Sequence, residues 1–496
     1  MSATTFEILR WLVLSVYFAC LGVLSLYGAH RWYLLWLYRR HRDQNPQPQS
    51  RFEQLPRLTV QLPLFNEMYV AERLIDAVCA IDYPKDRLEI QVLDDSTDET
   101  TRIVADVVAH WAERGFDIVH LHRTDRRGFK AGALEEGLRV ARGELIAVFD
   151  ADFVPPKEFA QELVHYFTDP EVGMVQARWG HLNEGYSALT RVQSMFLDGH
   201  FVIEHTARNR AGRFFNFNGT AGIWRRECID AAGGWQHDTL TEDLDLSYRA
   251  QLAGWRFIFL PGQIAPAELP LEMGAFKSQQ HRWAKGSIQT ARKLLGRIYR
   301  SELPLGVKLE ATAHLTANIG YVLMVILAVL VVPSVWLREE IAPWMVAFVD
   351  LPIFTLSSVS VAAFYWAARR EATGKSGGIL RWIPFLMAVG IGLSINNARA
   401  VLEALRGKQS SFRRTPKYNL RTSERLAQRR YRITINRDTW IELGFALYFA
   451  VGTGAAIAAG MWGAVPFLLL FELGYAYTAL STIAQAVQGA ALAREN

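Results

Sequence analysis

Apolar runs and alternating stretches divide this 496-residue chain into unlike parts. From about Ile8 to Leu26 apolar residues dominate, and the run meets the roughly 20-residue length of a membrane span. A proline-spaced linker, "DQNPQPQSRFEQLP", follows. Beyond it, short apolar runs alternate with helix-period stretches. "LTVQLPLF", "LEIQVLDD", "IVHLHR" and "LIAVFDAD" read as strands with helices between several of them, which predicts a mostly parallel α/β sheet with its sites at the carboxyl ends of the strands. After about Tyr299 the pattern turns apolar again. "AHLTANIGYVLMVILAVLVVP" and "WMVAFVDLPIFTLSSVSVAAFYWAA" predict two spans, and stretches from about Ile441 to Gly460 and Val465 to Ile483 predict two more. "IPFLMAVGIGLSINNARAVLEALRG" has an apolar run of only about 13 residues, a length suited to the interface. Five spans and one interfacial helix are expected.

Charge orients these segments. Arg31, Arg39, Arg40 and Arg42 follow the first span and only Arg10 accompanies its start, which places the next domain in the cytoplasm and the N-terminus outside. With no small-residue cleavage site after it, the first span is expected to be an anchor rather than a removed signal. Arg369, Arg370, Lys375 and Arg381 precede the short apolar run and Arg406, Lys408, Arg413 and Arg414 follow it, so both flanks belong on one side. The composition, 50% apolar with 15 Trp and 27 Phe yet 21% charged, fits a soluble domain joined to spans. The net charge of +5 is concentrated beside apolar segments, where anionic headgroups attract it, and nucleic acid is not an expected partner. Cys20, Cys79 and Cys228 lack the spacing of a disulfide framework or a zinc site.

The candidate chemistry sits at element ends. "VLDDSTDE" closes a strand on Asp94 and Asp95, although Ser96, Thr97 and Asp98 equally suit a helix cap. "AVFDADF" closes another on Asp150-Ala151-Asp152, and a period of two would turn both carboxylates to one side. Two close carboxylates repel unless a cation lies between them, and Mg²⁺ or Mn²⁺ bridging to a diphosphate answers that need. "RRGFKAGAL" sets Lys130 at a helix start, suited to phosphate oxygens. "TLTEDLDLSYRAQLAGW" brings Glu242, Asp243 and Asp245 into a first helical turn, either as capping acids or as a source of a general base. "SQQHRWAKGS" puts Gln279, Arg282 and Trp283 at i, i+3 and i+4 on one helix face: an amide, a bidentate fork for a diphosphate and a flat ring for a sugar.

Together, Asp94-Asp95, Asp150-x-Asp152, Thr241-Glu242-Asp243 and Gln279-x-x-Arg282-Trp283 resemble the membrane-embedded, processive family 2 glycosyltransferases, which include the cellulose, chitin and hyaluronan synthases. The wording of "VLDDSTDET", "FDADF", "VQARWGHLN", "FNFNGTAGIWR" and "QQHRW" is most similar to the cellulose-synthase-like mannan and glucomannan synthases of plants. The resemblance spans about Leu58 to Gly296. It implies a GT-A (Rossmann-like) α/β domain set between transmembrane helices, and an inverting transfer from GDP-mannose or UDP-glucose onto a nascent β-linked polysaccharide that crosses the plasma (inner) membrane. By resemblance Asp95, Lys130, Asp150, Gln279 and Arg282 hold the nucleotide donor, Asp152 the metal, and Asp243 is the base. Phe217, Asn218, Gly219, Thr220 and Trp283 meet the acceptor. "SFRRTPK" resembles the gating loop of bacterial cellulose synthase through Phe412, Thr415 and Lys417, with Arg414 where that loop usually has valine.

The expected division is an anchor (1–42), a linker (43–57), the GT-A domain (58–270), interfacial helices with the QxxRW motif (271–303), a transmembrane hairpin (304–370), an interfacial helix with the gating-like loop (371–440) and a second hairpin (441–496). Glu310, His314 and Asn318 recur every four residues in the first span of the first hairpin. They are expected to border the glycan's route, or else to bond neighbouring helices. No β-barrel domain is expected after the last span, and hence no control by cyclic di-GMP within the chain. The alternatives are a single-turn lipid glycosyltransferase, such as a ceramide glucosyltransferase, and a non-catalytic scaffold or glycan-binding subunit.

Overall fold

The computed structural model describes residues 3–338, 345–409, 415–419 and 435–495. Its centre is a seven-stranded sheet of β1 (Leu58–Leu64), β2 (Leu88–Asp94), β3 (Asp117–His122), β4 (Leu145–Val148), β5 (Val172–His181), β6 (Gly222–Arg225) and β7 (Arg256–Ala267). The spatial order is β3-β2-β1-β4-β6-β5-β7. Only β6 runs antiparallel to its neighbours, β4 and β5. Strand order reverses between β1 and β4, so the carboxyl ends there open a crevice where ligands bind in open α/β sheets.

Alternation along each strand feeds two cores. Leu145 and Ala147 of β4 join Leu58, Val60 and Leu62 of β1 on one face, while Ile146 and Val148 point to the other. The long first helix, α1 (Ala3–His41), stands apart from the sheet. Around the sheet, α2 (Ala71–Cys79), α3 (Thr100–Glu113) and α5 (Phe159–Val164) cover the first face; α4 (Phe129–Val140), α8 (Arg226–Ala231) and α9 (Glu242–Leu252) cover the second. Each Val, Leu or Ile fully buried in these layers contributes roughly 1.5–3 kcal/mol. Between them run α6 (Ala188–Asp198) and α7 (Thr206–Arg210), joined by a π-helical turn, Gly199–His205.

One strand is shorter than its sequence implies. The pairing of β4 with β6 stops at Val148, opposite Gly222; the Phe149 N–H still reaches the Gln61 carbonyl of β1 at 3.1 Å, but the Asp150 N–H leaves the sheet and donates to Thr220 Oγ1 at 2.9 Å. Asp150 and Asp152 therefore lie on a turn, where alternation no longer governs them. Asp152 is buried and Asp150 half-buried.

Among the described residues, five helices are long and apolar enough to cross a membrane: Thr4–His41, Ile319–Leu337, Phe348–Thr373, Arg437–Ala458 and Val465–Gln488. By length and composition this is a multi-pass membrane protein. Leu380–Gly392 and Ser394–Leu405 meet at a 42° bend, in the segment expected to lie at the interface. The end of α1 outlasts its apolar run and packs Leu34, Leu35 and Leu37 near Val202, Ile203 and Ala207 of the transition from α6 to α7.

Next come α10 (Met273–Arg300), α11 (Leu305–Thr316) and α12 (Ile319–Leu337). The expected polar stripe is broken, because the helix interrupts between Thr316 and Ile319 and Asn318 sits at the break. Glu310 is sealed rather than bordering an open route: it accepts from Arg208 Nε at 2.9 Å and lies 2.9 Å from His30 Nε2, with 1% of its side chain exposed. His314 Nδ1 bonds the Tyr248 hydroxyl at 2.8 Å. For Glu310 and His314 the helix-packing alternative holds, since both residues face partners on neighbouring elements.

The 28-residue α10 joins the two halves of the molecule. Its Lys277 pairs with Glu442 at 2.5 Å and its Lys285 with Glu403 at 2.9 Å, both partners lying on helices of the apolar bundle. Against the sheet domain it approaches at Gly286, where a Cβ would fall 2.4 Å from Thr241 Oγ1. Gly286→Ala is expected to force α10 away from Thr241 at a cost of about 1–3 kcal/mol, the usual range for overpacking. Thermal unfolding checks it: the variant should melt earlier than the native protein, and Thr241→Ala should restore part of the loss.

Candidate active site

Three strand ends and one helix meet above the β1/β4 crevice. Their cleft holds about 1220 Å³ of empty space, its open mouth included. Asp95, Lys130, Asp150, Asp152, Asn218, Gly219, Asp243, Gln279, Arg282, Trp283, Thr415 and Lys417 all line it. The sequence motifs, up to 322 residues apart, thus converge on one place. Phe217 and Thr220 do not line it. Phe217 is buried against Trp224 at 5.5 Å between ring centres, and Thr220 lies beneath Asp150. Both support the loop rather than reaching into the cleft. Phe412 lies outside the described residues.

The site is organised by Lys130. Gly128, at φ 73°, turns the chain into α4, so that Lys130 stands in the first turn of the helix. Its ammonium donates to Asp150 Oδ1 at 2.5 Å and to the Gly219 carbonyl at 2.8 Å. One side chain thereby joins α4, the turn after β4 and the loop before β6. Phe129 and Ala221 hold left-handed backbone at φ 52° and 56°, beside Lys130 and Thr220. Such conformations cost energy that the surrounding contacts must supply. Gly219 itself, at φ 78°, lies so close that a Cβ would be 3.1 Å from Asp243 Oδ2 and 3.3 Å from Lys130 Nζ.

Of the three acids at the start of α9, Glu242 and Asp243 line the cleft and Asp245 does not. Asp245 is fully buried and pairs with Arg249 at 2.8 Å and Lys293 at 3.0 Å. Glu242 is buried, whereas Asp243 is half-buried beside Gly219, its Oδ1 accepting from the Leu244 N–H at 2.8 Å. Burial first, then the neighbouring Glu242 carboxylate, pushes the Asp243 carboxyl up to about 7, against the pull of Lys130. Near neutral pH this carboxyl therefore exists in both its protonated and its ionised form.

Opposite them α10 presents Gln279, Arg282 and Trp283, as the i, i+3, i+4 spacing predicts. Trp283 faces Trp179, 6.4 Å between ring centres, and Trp179 packs on Phe153 and Phe201. The ring belongs to the cleft wall. Trp179 adds a second aromatic surface that the motif reading did not single out as a site residue; "VQARWGHLN" was its only signal.

The paired aspartates after β2 separate. Asp94 turns away and is held by His120 at 3.0 Å, His122 at 3.1 Å and the Ser96 N–H at 2.8 Å. Asp95 lines the cleft and accepts both arms of Arg123, at 2.7 and 2.6 Å. Beside it Arg126 stacks on Phe65, and both line the same cleft. That flat cationic surface was hidden in the sequence, because Phe65 and Arg126 lie on different loops.

The carboxylates at the cleft floor also have a partner from the far end of the chain. Lys417 pairs with Asp152 Oδ2, while Glu268 receives Arg73 at 2.6 Å and the N–H groups of Tyr418 and Asn419 at 3.2 Å each. Burial raises the Asp152 carboxyl above its usual range, with Lys417 opposing that shift. The segment 415–419 is thus bound over the turn that carries Asp150-x-Asp152.

A match to the family described as "Glycosyltransferase like family 2" covers residues 56–286, the span that contains every strand of the sheet. The chain belongs to the family 2 glycosyltransferases. Among curated relatives, this glycosyltransferase is 36% identical over 348 residues to "Glucomannan 4-beta-mannosyltransferase 1" of Oryza sativa subsp. japonica, covering 66% of each chain. It is 44% identical over 252 residues to "Glucomannan 4-beta-mannosyltransferase 2" of Arabidopsis thaliana, covering 50% of this chain and 47% of that one. The chain therefore spans between about half and two thirds of these relatives' lengths. A mannosyltransferase of Pyrobaculum calidifontis, solved with GDP-Man and Mn²⁺, superposes with a TM-score of 0.51 at 23% identity, over 72% of this chain and 98% of that one. It shares the GT-A fold with the sheet domain described above.

Because Lys417 and a divalent cation would compete for one carboxylate, the family 2 site makes a binding prediction. Lys417→Met should bind Mn²⁺ more tightly than the native protein in the absence of nucleotide, and Asp152→Asn should bind it more weakly than either. Mn²⁺ titration followed by electron paramagnetic resonance measures this directly. Equal affinity in all three would remove Asp152 from any cation site.

Proposed function

We propose that this glycosyltransferase is a processive, inverting β-hexosyltransferase that draws on GDP-mannose or UDP-glucose and extends a β-linked mannan, glucomannan or glucan. The observation that carries the reading is the position of Asp243, beside Gly219 and facing α10 across the cleft, with Lys130, Asp150 and Arg282 around it. Relatives named as glucomannan 4-β-mannosyltransferases support a β-mannan or glucomannan product, and the GDP-Man bound in the archaeal neighbour supports a nucleotide-sugar donor.

In this reading the donor's base lies towards Phe65, Asp95 and Arg126, and its diphosphate towards Lys130, Gln279 and Arg282. Trp283 offers an apolar face to the acceptor's terminal sugar, and Asn218 and Gly219 bound the same end. Asp243 takes the proton from the acceptor hydroxyl as its oxygen attacks the anomeric carbon. The carbon–oxygen bond to the diphosphate breaks on the opposite face, and Arg282 stabilises the negative charge that leaves with it. The cleft also suits a divalent cation, Mg²⁺ or Mn²⁺, because Asp150 and Asp152 supply hard oxygen ligands and already attract ammonium groups. Such an ion would neutralise diphosphate charge when bound, with Asp152 as its main protein ligand. Thr415 and Lys417 would then belong to a loop that closes over the donor.

The five apolar helices suit translocation of the product across the plasma (inner) membrane. The arginines after α1 support a cytoplasmic catalytic domain and an outside N-terminus. The division into anchor, catalytic unit, interfacial helices and two hairpins follows from the same arrangement.

Two outcomes test the reading. With Asp243 near 7, activity should need its ionised form, so turnover should rise as pH passes upward through about 7 and fall below it. Asp243→Asn should retain donor binding but lose about 10²–10⁴-fold in turnover, the usual worth of a general base. A pH-independent rate or an active Asn variant would assign the base elsewhere. Separately, Trp283→Ala should keep nucleotide affinity and some donor hydrolysis by water yet make little polymer, because acceptor geometry depends on the ring. Arg282→Ala should lose hydrolysis and polymer together. Labelled GDP-mannose and UDP-glucose, with product size and nucleotide release measured in parallel, distinguish a polymer from a lipid-linked monosaccharide or from no product.

A further inference from the structure

The loop that carries Asn218 and Gly219 is gripped from below by two histidines of the π-helical turn Gly199–His205. A π turn closes its hydrogen bonds on the fifth residue and is frequent at functional sites. In an ordinary helix of 3.6 residues per turn, residues five apart point to different sides. Here the wider turn brings His200 and His205 together, 4.3 Å between ring centres, and both reach the side-chain amide of Asn218. His205 Nε2 lies 2.7 Å from Asn218 Oδ1, and Asn218 Nδ2 lies 2.8 Å from His200 Nε2.

The proton positions follow from counting donors. His205 Nε2 also lies 3.0 Å from the Asn216 carbonyl oxygen, which can only accept. That nitrogen therefore carries the proton and gives it to both oxygens. His205 is completely buried and its Nδ1 has no hydrogen-bond partner among the described residues, so the ring is neutral. The opposite amide orientation of Asn218 would set a donor against a donor, hence its nitrogen points to His200. His200 Nε2 must then be the bare, accepting nitrogen, and its proton lies on Nδ1, 3.3 Å from Glu204 Oε2. Glu204 also accepts from Arg208 at 3.0 Å; Arg208 donates to Glu310 at 2.9 Å, and Glu310 lies 2.9 Å from His30 of α1. Arg208 donates to both carboxylates, so Glu204 accepts from Arg208 on one side and from His200 on the other.

We propose that His200 is a positioning residue for the acceptor: as the neutral Nδ1–H tautomer held by Glu204, it fixes the Asn218 amide at the edge of the cleft. This rests on the acceptor reading of Asn218 above. Its consequence is specific. A side chain at position 200 that can accept from Asn218 should preserve polymer formation, and one that cannot should impair acceptor use while sparing the donor. The side chain of His200 is 27% exposed and does not itself line the cleft, which it reaches through Asn218.

The test is performed on the full-length protein in nanodiscs. His200→Phe keeps ring volume without an acceptor nitrogen; His200→Gln restores an amide oxygen that can receive the Asn218 N–H. For His200→Phe, polymer formation should fall on the order of 10²-fold, the scale of a displacement near 1 Å. Donor KM and hydrolysis of the donor by water should stay within about twofold, and His200→Gln should recover most of the polymer. A second readout needs no turnover: ¹⁵N spectra of histidine-labelled protein, with the His200 signal assigned by its loss in His200→Gln, should show a protonated Nδ1 and a bare Nε2. A protonated Nε2 overturns the proposal whatever the activity. So does normal polymerisation by His200→Phe, or an equal loss of hydrolysis and polymer in it, or failure of His200→Gln to rescue. If the native protein processes no nucleotide sugar, the glycosyl-transfer reading fails with the kinetic arm, and the ¹⁵N arm still decides the tautomer.

Discussion

A single ammonium group, that of Lys130, holds the catalytic cleft in shape. Asp150, Asp152, Glu242 and Asp243 converge within it, and carboxylates so close would repel one another or take up protons unless cations intervened. Lys130 answers one side of that problem by binding Asp150 and the Gly219 carbonyl at once. The left-handed turns at Phe129 and Ala221 and the near contact of Gly219 with Asp243 lie beside that bridge. The remaining charge is spread over Lys417 and Arg282, which come from segments far along the chain. Local geometry and long-range assembly are therefore one electrostatic problem.

Different physics made different parts legible. Strands such as "LTVQLPL" could be read from their alternation between turn signals, with Leu58, Val60 and Leu62 on one face and the buried Thr59 and Gln61 on the other. The Gln279, Arg282 and Trp283 face could be read because a helix of fixed pitch carries the spacing with it. The D-x-D motif was found, but its conformation was misjudged. Where a ladder ends depends on its partner, and β6, which meets β4 at Gly222, lies more than 70 residues away in sequence. Asp94 and Asp95 looked alike in the chain and diverge in space, because only pairing with β3 puts His120 and His122 beside the first.

The least legible features were those whose register departs from the ordinary helix. Nothing in "GHFVIEH" announces a π turn; by normal helical spacing His200 and His205 fall on different sides. The Glu310 stripe illustrates the converse error. Its four-residue spacing was real, yet its meaning depended on Arg208, from 102 residues upstream, which closes over Glu310 and seals it. Spacing identifies which residues share a face. What that face meets is decided by tertiary packing, and a buried acid will take the partner that repays its desolvation.

The attachment of α10 has a mechanical consequence. Lys277 and Trp283 are separated by less than two helical turns, so the buried Lys277–Glu442 pair lies within about 10 Å, along the helix axis, of the ring that faces the cleft. A helix is stiff over that distance. A shift of the Arg437–Ala458 helix would bear on Arg282 and Trp283 through Lys277. The cleft therefore has one wall on the sheet and another on a helix fastened at both sides, to the sheet domain at Thr241 and Asp245 and to the apolar helices at Glu442 and Glu403.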